Sequence, residues 1–141
     1  MADMVRNVGR TRPKAALWQM GLIAFAAAAI ANLALYTLAN ALLAEPLRVP
    51  PEVGAVNVLS VVISTLAGTV GALVTFTLVK HFARRPVGTF QLLALVALIV
   101  SMAGPLGVPE IELATRVVLA LMHIVTAAII VAVFIPRVRQ R

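Results

Sequence analysis

Four long stretches that are rich in apolar residues constrain this chain more than any other feature. The first runs from about Ala15 to Ala44 and the second from about Val53 to Val79, and neither contains a charged residue. A shorter third stretch runs from about Phe90 to Ala103, and a fourth from about Leu113 to Ile135. Because an α-helix rises 1.5 Å per residue, about 20 apolar residues are enough to cross the hydrocarbon core of a bilayer. The pattern therefore predicts four transmembrane helices.

The composition agrees with a membrane protein and excludes a soluble one. Hydrophobic residues make up 62% of the 141 residues and charged residues only 12%, against about 45–50% and about 25% in an ordinary soluble domain. Continuous apolar runs, rather than alternating ones, favour helices over the strands of a barrel. We expect an all-α four-transmembrane-helix bundle of up-down-up-down topology. Its single transmembrane domain would be residues 15–136, between basic tails at residues 1–14 and 137–141.

Proline and glycine residues mark the expected ends of the helices. Gly104 and Pro105 are expected to end the third helix, which would then be short, and to leave Leu106–Val108 as a loop in the membrane interface. In the second stretch, small residues recur every fourth position, with Ser60, Ser64, Gly68 and Ala72 in one row. Such rows let neighbouring helices approach closely. We therefore expect this row to be a packing face.

The positions of the charged residues predict the orientation of the four helices. Three segments that would share one side of the membrane carry ten of the 12 basic residues: Arg6, Arg10, Arg12, Lys14, Lys80, Arg84, Arg85, Arg137, Arg139 and Arg141. The two loops on the other side carry four of the five acidic residues: Glu45, Glu52, Glu110 and Glu112. Because cytoplasmic segments are enriched in Lys and Arg, we expect both termini in the cytoplasm. The net charge of +7 then indicates contact with anionic lipid headgroups, and nucleic acid is not needed to explain it.

His123 and Arg116 are the titratable residues within the fourth stretch. His123 lies about ten residues into it, where a histidine is either hydrogen-bonded inside the bundle, part of a proton relay, or an axial ligand to haem or chlorophyll. The other histidine, His81, lies roughly 18 Å away in depth, too far to share one iron. Arg116 follows Glu112 by four residues, which favours an ion pair at the outer interface over an anion site. Arg116 and His123 are seven residues apart and share a helix face.

Asn32 is the central polar residue of the first stretch. Ala24 and Ala28 precede it at intervals of four, so we expect this row to face the interior of the bundle. Asn32 and His123 both lie near mid-membrane on helices that are neighbours in an up-down-up-down bundle. We expect them to be linked directly, through Ser64 or Thr65, or through a water molecule.

The chain contains no cysteine, which excludes disulfides and thiolate chemistry. No acidic residue lies inside the four stretches, so the intramembrane carboxylate of small multidrug antiporters is missing. No phosphate-binding glycine loop, metal-ligand cluster or catalytic triad can be assembled from these residues. We expect a protein that is not an enzyme and needs no cofactor.

Two segments of the second half carry a family resemblance. They are Ala83–Phe90 running into Leu98–Leu106, and Leu121–Ile130 with Pro136. They resemble a domain-of-unknown-function family of small, uncharacterised bacterial four-helix membrane proteins, whose last helix has a histidine before small residues and a closing proline. The resemblance implies the same topology in a bacterial inner membrane, and it implies no activity.

These observations favour a non-enzymatic structural or accessory subunit of a membrane assembly, as a homo-oligomer or in a larger complex. Two alternatives stay open. One is a small transporter or channel that uses the face shared by Arg116 and His123. The other is a protein that binds a pigment or haem through His123.

Overall fold

The helices of the structure coincide with the four apolar stretches of the sequence. A computed structural model describes residues 17–43, 47, 49–50 and 56–138. The helices in that part of the chain are α1 (Leu17–Leu42), α2 (Val58–Phe82), α3 (Pro86–Ser101), α4 (Ala103–Gly107) and α5 (Leu113–Val138). Because α3 and α4 together form one span, four segments are long and apolar enough to cross a membrane. The prediction of an all-α four-helix bundle is confirmed, and the chain is a multi-pass membrane protein.

The packing of the spans follows their order in the chain. Helix α1 packs most extensively against α2 and α5, while α3 packs mainly against α5 and less against α2. Helices α1 and α3 do not contact each other. The order around the bundle is therefore α1, α2, α3, α5, so the first and last spans are neighbours, as an up-down-up-down bundle requires.

Small residues on α1 allow its neighbours to approach closely. Ala24 and Ala28 are completely buried and Asn32 is 4% exposed, so the prediction that this row faces the interior is confirmed. Gly21 is also buried, and a Cβ atom at this position would lie 3.0 Å from Cδ2 of Leu73 on α2. The close contact between α1 and α2 therefore depends on a residue without a side chain.

Three phenylalanines close the end of the bundle at which α2 ends and α3 begins. The rings of Phe76, Phe90 and Phe134 have centroids 5.0–5.8 Å apart and are almost completely buried. Met20 and Ile130 complete the same core cluster. Aromatic pairs at these distances add to the stabilisation that burial provides. Sequence analysis did not predict this cluster.

The third span is longer than the sequence suggested, and the expected boundary at Gly104 and Pro105 is wrong. Helix α3 begins at Pro86, which can occupy the first position of a helix because the amide there has no intrahelical partner. Pro105 instead lies within α4, in its first turn, where proline is tolerated. Since Pro105 cannot donate to the carbonyl of Ser101, the hydrogen-bond ladder is interrupted between α3 and α4 at Met102. The span as a whole covers Pro86–Gly107.

Several sequence predictions concern residues outside the described part of the chain. These are the basic tail at residues 1–14, most of the tail at residues 137–141, and the charges of the first loop, namely Glu45, Arg48 and Glu52. At the other end of the expected domain, α5 continues through Pro136 to Val138.

Helix α2 begins with a reciprocal cap, in which Ser60 N–H donates to Asn57 Oδ1 and Asn57 N–H donates to Ser60 Oγ, both at 2.9 Å.

Candidate functional site

A large groove runs between α2, the α3–α4 span and α5. Its volume is about 750 Å³, within the usual range for sites that bind small molecules. Phe90 and Ile130 line one end, beside the phenylalanine cluster, and Val56 and Ile111 line the other. Residues from Ser60 to Thr75 of α2 line its length, a distance of about 22 Å along the helix axis. The groove therefore begins beside Phe90 and extends along most of the bundle.

The walls of the groove are made of small residues, which corrects the expectation that these residues pack against a neighbouring helix. Ser64, Gly68 and Gly71 of α2 line the groove and are exposed in the structure. A Cβ atom at Gly68 or Gly71 would have no atom within 4 Å. Helix α2 instead buries the face that contains Thr65 and Thr69. Because α3 leans on α5 more than on α2, the small-residue row is left uncovered.

Asn32 joins three helices at the floor of the groove. Its Nδ2 donates to Thr65 Oγ1 of α2 at 3.0 Å and to Thr126 Oγ1 of α5 at 2.8 Å. The two hydroxyls donate hydrogen bonds to backbone carbonyls within their own helices. Thr65 donates to Val61 at 2.7 Å and Thr126 donates to Met122 at 2.8 Å. Both hydroxyls can therefore only accept from Asn32.

These hydrogen bonds fix the orientation of the Asn32 amide. If the amide were turned over, Oδ1 would face two oxygen atoms that have no hydrogen left to donate. With Nδ2 facing the hydroxyls, Oδ1 is buried without a hydrogen-bond partner among the described residues. An unpaired buried acceptor costs about 1–3 kcal/mol. Oδ1 is thus an unsatisfied acceptor buried at the floor of the groove.

His123 also lines the groove, one turn of α5 before Thr126. Its Nδ1 lies 2.7 Å from the carbonyl oxygen of Leu119. A carbonyl can only accept, so Nδ1 carries the hydrogen and, in the neutral ring, Nε2 is an acceptor. No hydrogen bond links His123 to Asn32 in the part of the chain that the structure describes. The two side chains line the same groove without a hydrogen bond between them in the described chain.

The structure places Ser64 and Thr65 on the wall and the floor of the same groove. Thr65 is 4% exposed and holds Asn32, as one of the predicted links requires. Ser64 donates to the carbonyl of Val61 at 3.1 Å and does not bond Asn32. Thr126 was missed by sequence analysis. Its spacing of three from His123 places it near the same helix face, and this was the signal that could have identified it.

Arg116 lies apart from this groove, at the loop between α4 and α5. Its Nη2 donates to the carbonyls of Val108 and Ile111, both at 3.2 Å, and of Pro109 at 3.5 Å. Its Nε is buried and unpaired within the described residues. The expected partner was a glutamate of this loop, and the structure gives backbone carbonyls instead. Arg116 lines a smaller cavity that His123 does not line, so the two residues do not share a site.

The groove has no charged residue among the side chains that line it. His81 lies in the last turn of α2, beside Phe82 and away from the groove. No group of three potential metal ligands occurs in the described ranges. The polar chemistry of the groove consists of hydroxyls, one amide and one imidazole. Association with a further copy of the chain or with another membrane protein stays a prediction.

Comparison with known proteins gives one match. A family model described as "Family of unknown function (DUF6069)" matches residues 12–140. No curated protein and no solved structure matches the chain significantly.

Proposed function

The chain belongs to DUF6069, a family of unknown function, and we propose that it is a non-enzymatic accessory protein of the membrane that binds a small lipid-soluble molecule in its groove. The observation that carries this proposal is the space of about 750 Å³ between α2, the α3–α4 span and α5. Well-packed helix bundles leave few voids larger than a water molecule. A groove of this size, with small residues along its α2 wall, is suited to an occupant.

The dimensions of the groove favour a small molecule as its occupant. Its volume of about 750 Å³ lies within the usual range for sites that bind small molecules. The structure gives less support to the alternative of a transporter that uses Arg116 and His123. Arg116 lies outside the groove, so a pathway lined by Arg116 and His123 lacks support.

A second candidate function is the binding of a pigment or haem through His123. Donation from Nδ1 to a backbone carbonyl orients the ring and leaves Nε2 as the ligand atom, as in many metal-bound histidines. The absence of a cation in the groove lining gives no partner there for the carboxylates of a haem. An absorption band in the visible spectrum of the protein purified in mild detergent would favour this candidate over a colourless lipid-soluble molecule.

The proposed function predicts that filling the groove abolishes binding. Gly71→Leu places a side chain in open space inside the groove, whereas Ala67→Leu adds the same side chain to an exposed position of α2 that does not line it. The probe is a long-chain alkyl methyl ether with a diazirine group, photolysed in nanodiscs that contain the protein. Covalent labelling is measured by intact mass against increasing unlabelled ether.

A binding site saturates and can be competed, while contact with bulk lipid cannot. We expect saturable labelling of the wild-type chain and of Ala67→Leu, and only non-saturable labelling of Gly71→Leu. Labelling that does not saturate, or that is equal in all three proteins, would contradict the proposed function.

We further propose that the α2–α3 loop faces the cytoplasm of a bacterial cell and contacts anionic lipid headgroups there. Lys80, Arg84 and Arg85 lie at this end of the bundle, and Glu110 and Glu112 lie at the other. Basic residues favour the cytoplasmic side, where the anionic leaflet attracts them.

A further inference from the structure

The polar atoms around Asn32 indicate the chemical class of the molecule that the groove binds. We infer that the occupant is an uncharged long-chain alcohol whose hydroxyl donates its hydrogen bond to Asn32 Oδ1 or His123 Nε2. This inference rests on the proposed function, since it assumes that the groove is occupied.

The groove presents acceptors at the level of Asn32. Asn32 Oδ1 is buried and unpaired, and Nε2 of a neutral His123 is an acceptor because Nδ1 donates to Leu119. The hydroxyls of Ser64, Thr65 and Thr126 all give their hydrogens to carbonyls of their own helices. A ligand that brings a hydrogen-bond donor would satisfy the orphaned acceptor, whereas a ligand with only acceptors would add a further unpaired oxygen.

The position of the two acceptors also selects for one donor group. His123 precedes Thr126 by three residues, a rise of about 4.5 Å along α5, and Thr126 is bonded directly to Asn32. Both acceptors therefore lie at a similar depth on the groove. Both residues line the groove, so a single hydroxyl at this depth is the donor in this proposal, and its own oxygen can still accept a hydrogen bond.

The described residues that line the groove carry no charge, which disfavours charged donors and charged headgroups. Among the residues that the structure describes, the lining includes no carboxylate that could pair with an ammonium group, and no Lys or Arg that could pair with a phosphate. A charged group without such a partner is costly in an apolar medium. Asn32 also lies about 22 Å from the start of α1 and about 15 Å from its end, deep in the span. A phospholipid headgroup would have to remain at the interface, whereas a hydroxyl can be buried.

The remainder of the groove suits an alkyl or isoprenoid chain. Leu93, Ala97, Met122 and Ile130 line it with apolar surface, and Phe90 lines one end. Beyond Thr65, the lining of α2 extends about 15 Å further to Thr75. A chain attached to the hydroxyl could lie along this path and bury its methylene groups there.

The test compares two probes that differ only in the ability to donate. One is the diazirine-bearing alkyl methyl ether, and the other is the corresponding primary alcohol with the same chain. Both oxygens accept, but only the alcohol donates. Saturable labelling of the full chain in nanodiscs gives an apparent affinity for each probe.

We expect the alcohol to bind about 3- to 20-fold more tightly than the ether, the range that one hydrogen bond between membrane helices provides. Asn32→Leu and His123→Phe are each expected to reduce this preference, and the double variant is expected to remove it. The affinity for the ether should stay the same in all three variants. Asn40→Leu is the matched control, because Asn40 is on the same helix, its Oδ1 already accepts from Leu47 N–H at 3.3 Å, and it does not line the groove.

The outcomes separate this inference from the proposed function. Equal affinities for the two probes, with loss of both in Gly71→Leu, would overturn the alcohol inference and leave the binding groove intact. An unchanged preference in the Asn32→Leu, His123→Phe double variant would also overturn it, as would an equal loss in Asn40→Leu. No saturable labelling by either probe would overturn both proposals, and photolabelling of a second protein within the groove would replace the alcohol with a protein partner.

Discussion

At the scale of single residues, Asn32 shows how a polar side chain is accommodated in an apolar medium. Two threonines receive its hydrogens, and each threonine returns its own hydrogen to the backbone of its helix. Serine and threonine commonly make such bonds to the carbonyl four residues earlier. Asn32 thereby connects α1, α2 and α5 with donors that are all satisfied, and the cost is confined to one acceptor.

The pairing of Asn32 with Thr126 leads to a prediction about stability. Thr126→Val is expected to lower the free energy of unfolding by about 0.6–2 kcal/mol, the usual value of an interhelical hydrogen bond in membranes. In an Asn32→Leu background the same substitution should cost little, because its partner is already gone. A double-mutant cycle measured by unfolding in mixed micelles tests this. Additive effects of the two substitutions would contradict the hydrogen bond.

Arg116 provides the second prediction at this scale. Its Nη2 holds the carbonyls of Val108 and Ile111, so Arg116→Met should loosen the α4–α5 loop. We expect amide exchange of residues 108–112 to increase about tenfold, equivalent to about 1.4 kcal/mol, with partial recovery in Arg116→Lys. Labelling of the groove should stay unchanged in both variants, because Arg116 does not line it. Loss of labelling in Arg116→Met would instead place Arg116 and His123 in one functional site.

The sequence indicated which polar residues matter more readily than it indicated their bonds. Asn32 and Thr65 were predicted from depth and helix spacing, which are set by the chain itself. The direction of the Asn32 amide depends on where the hydroxyls of Thr65 and Thr126 send their hydrogens, and this follows only from three helices in contact. The partners of Arg116 were mispredicted because loop carbonyls, unlike Glu112, leave no pattern in a sequence.

At the scale of helices, two glycines on α1 and α2 have opposite environments. Gly71 of α2 faces the open groove. Gly21 of α1 instead lies against the side chain of Leu73 on α2. The rows of small residues on α1 and α2 look alike in the sequence, because small residues at intervals of four can form either a close helix contact or the wall of an open groove. The difference arises because α3 contacts α2 only weakly, and α3 has one buried residue in the described chain, Phe90.

The two glycines therefore predict opposite responses to the same substitution. Gly21→Leu should lower the free energy of unfolding by about 1–3 kcal/mol, because the added side chain overpacks the contact with Leu73. Gly71→Leu should cause no loss, since its side chain meets empty space and leucine favours a helix more than glycine does. Unfolding in mixed micelles compares the two variants with the wild-type chain. Destabilisation by Gly71→Leu equal to that of Gly21→Leu would mean that the groove is filled by packing in the membrane.

At the scale of the whole molecule, the two ends of the bundle differ in both packing and charge. One end contains the phenylalanine cluster together with Lys80, Arg84 and Arg85, and the other contains Glu110 and Glu112 and the end of the groove lined by Val56 and Ile111. The number of spans could be predicted from hydropathy, because the membrane requires apolar residues throughout a span. The groove could not be predicted from the sequence, because it depends on the distances between whole helices.

The final prediction concerns the orientation of the molecule in the membrane. Because the chain lacks cysteine, Arg84→Cys and Glu110→Cys each provide a single thiol in one exposed loop. The basic loop is expected in the cytoplasm, so a membrane-impermeant maleimide should label Glu110→Cys in intact cells and Arg84→Cys only after permeabilisation. The cysteine-free wild-type chain is the control for background labelling. Labelling of Arg84→Cys in intact cells would reverse the orientation, and equal labelling of both variants would show that the chain inserts in two orientations. In the expected orientation the end of the groove lined by Val56 and Ile111 lies on the side of the membrane away from the cytoplasm.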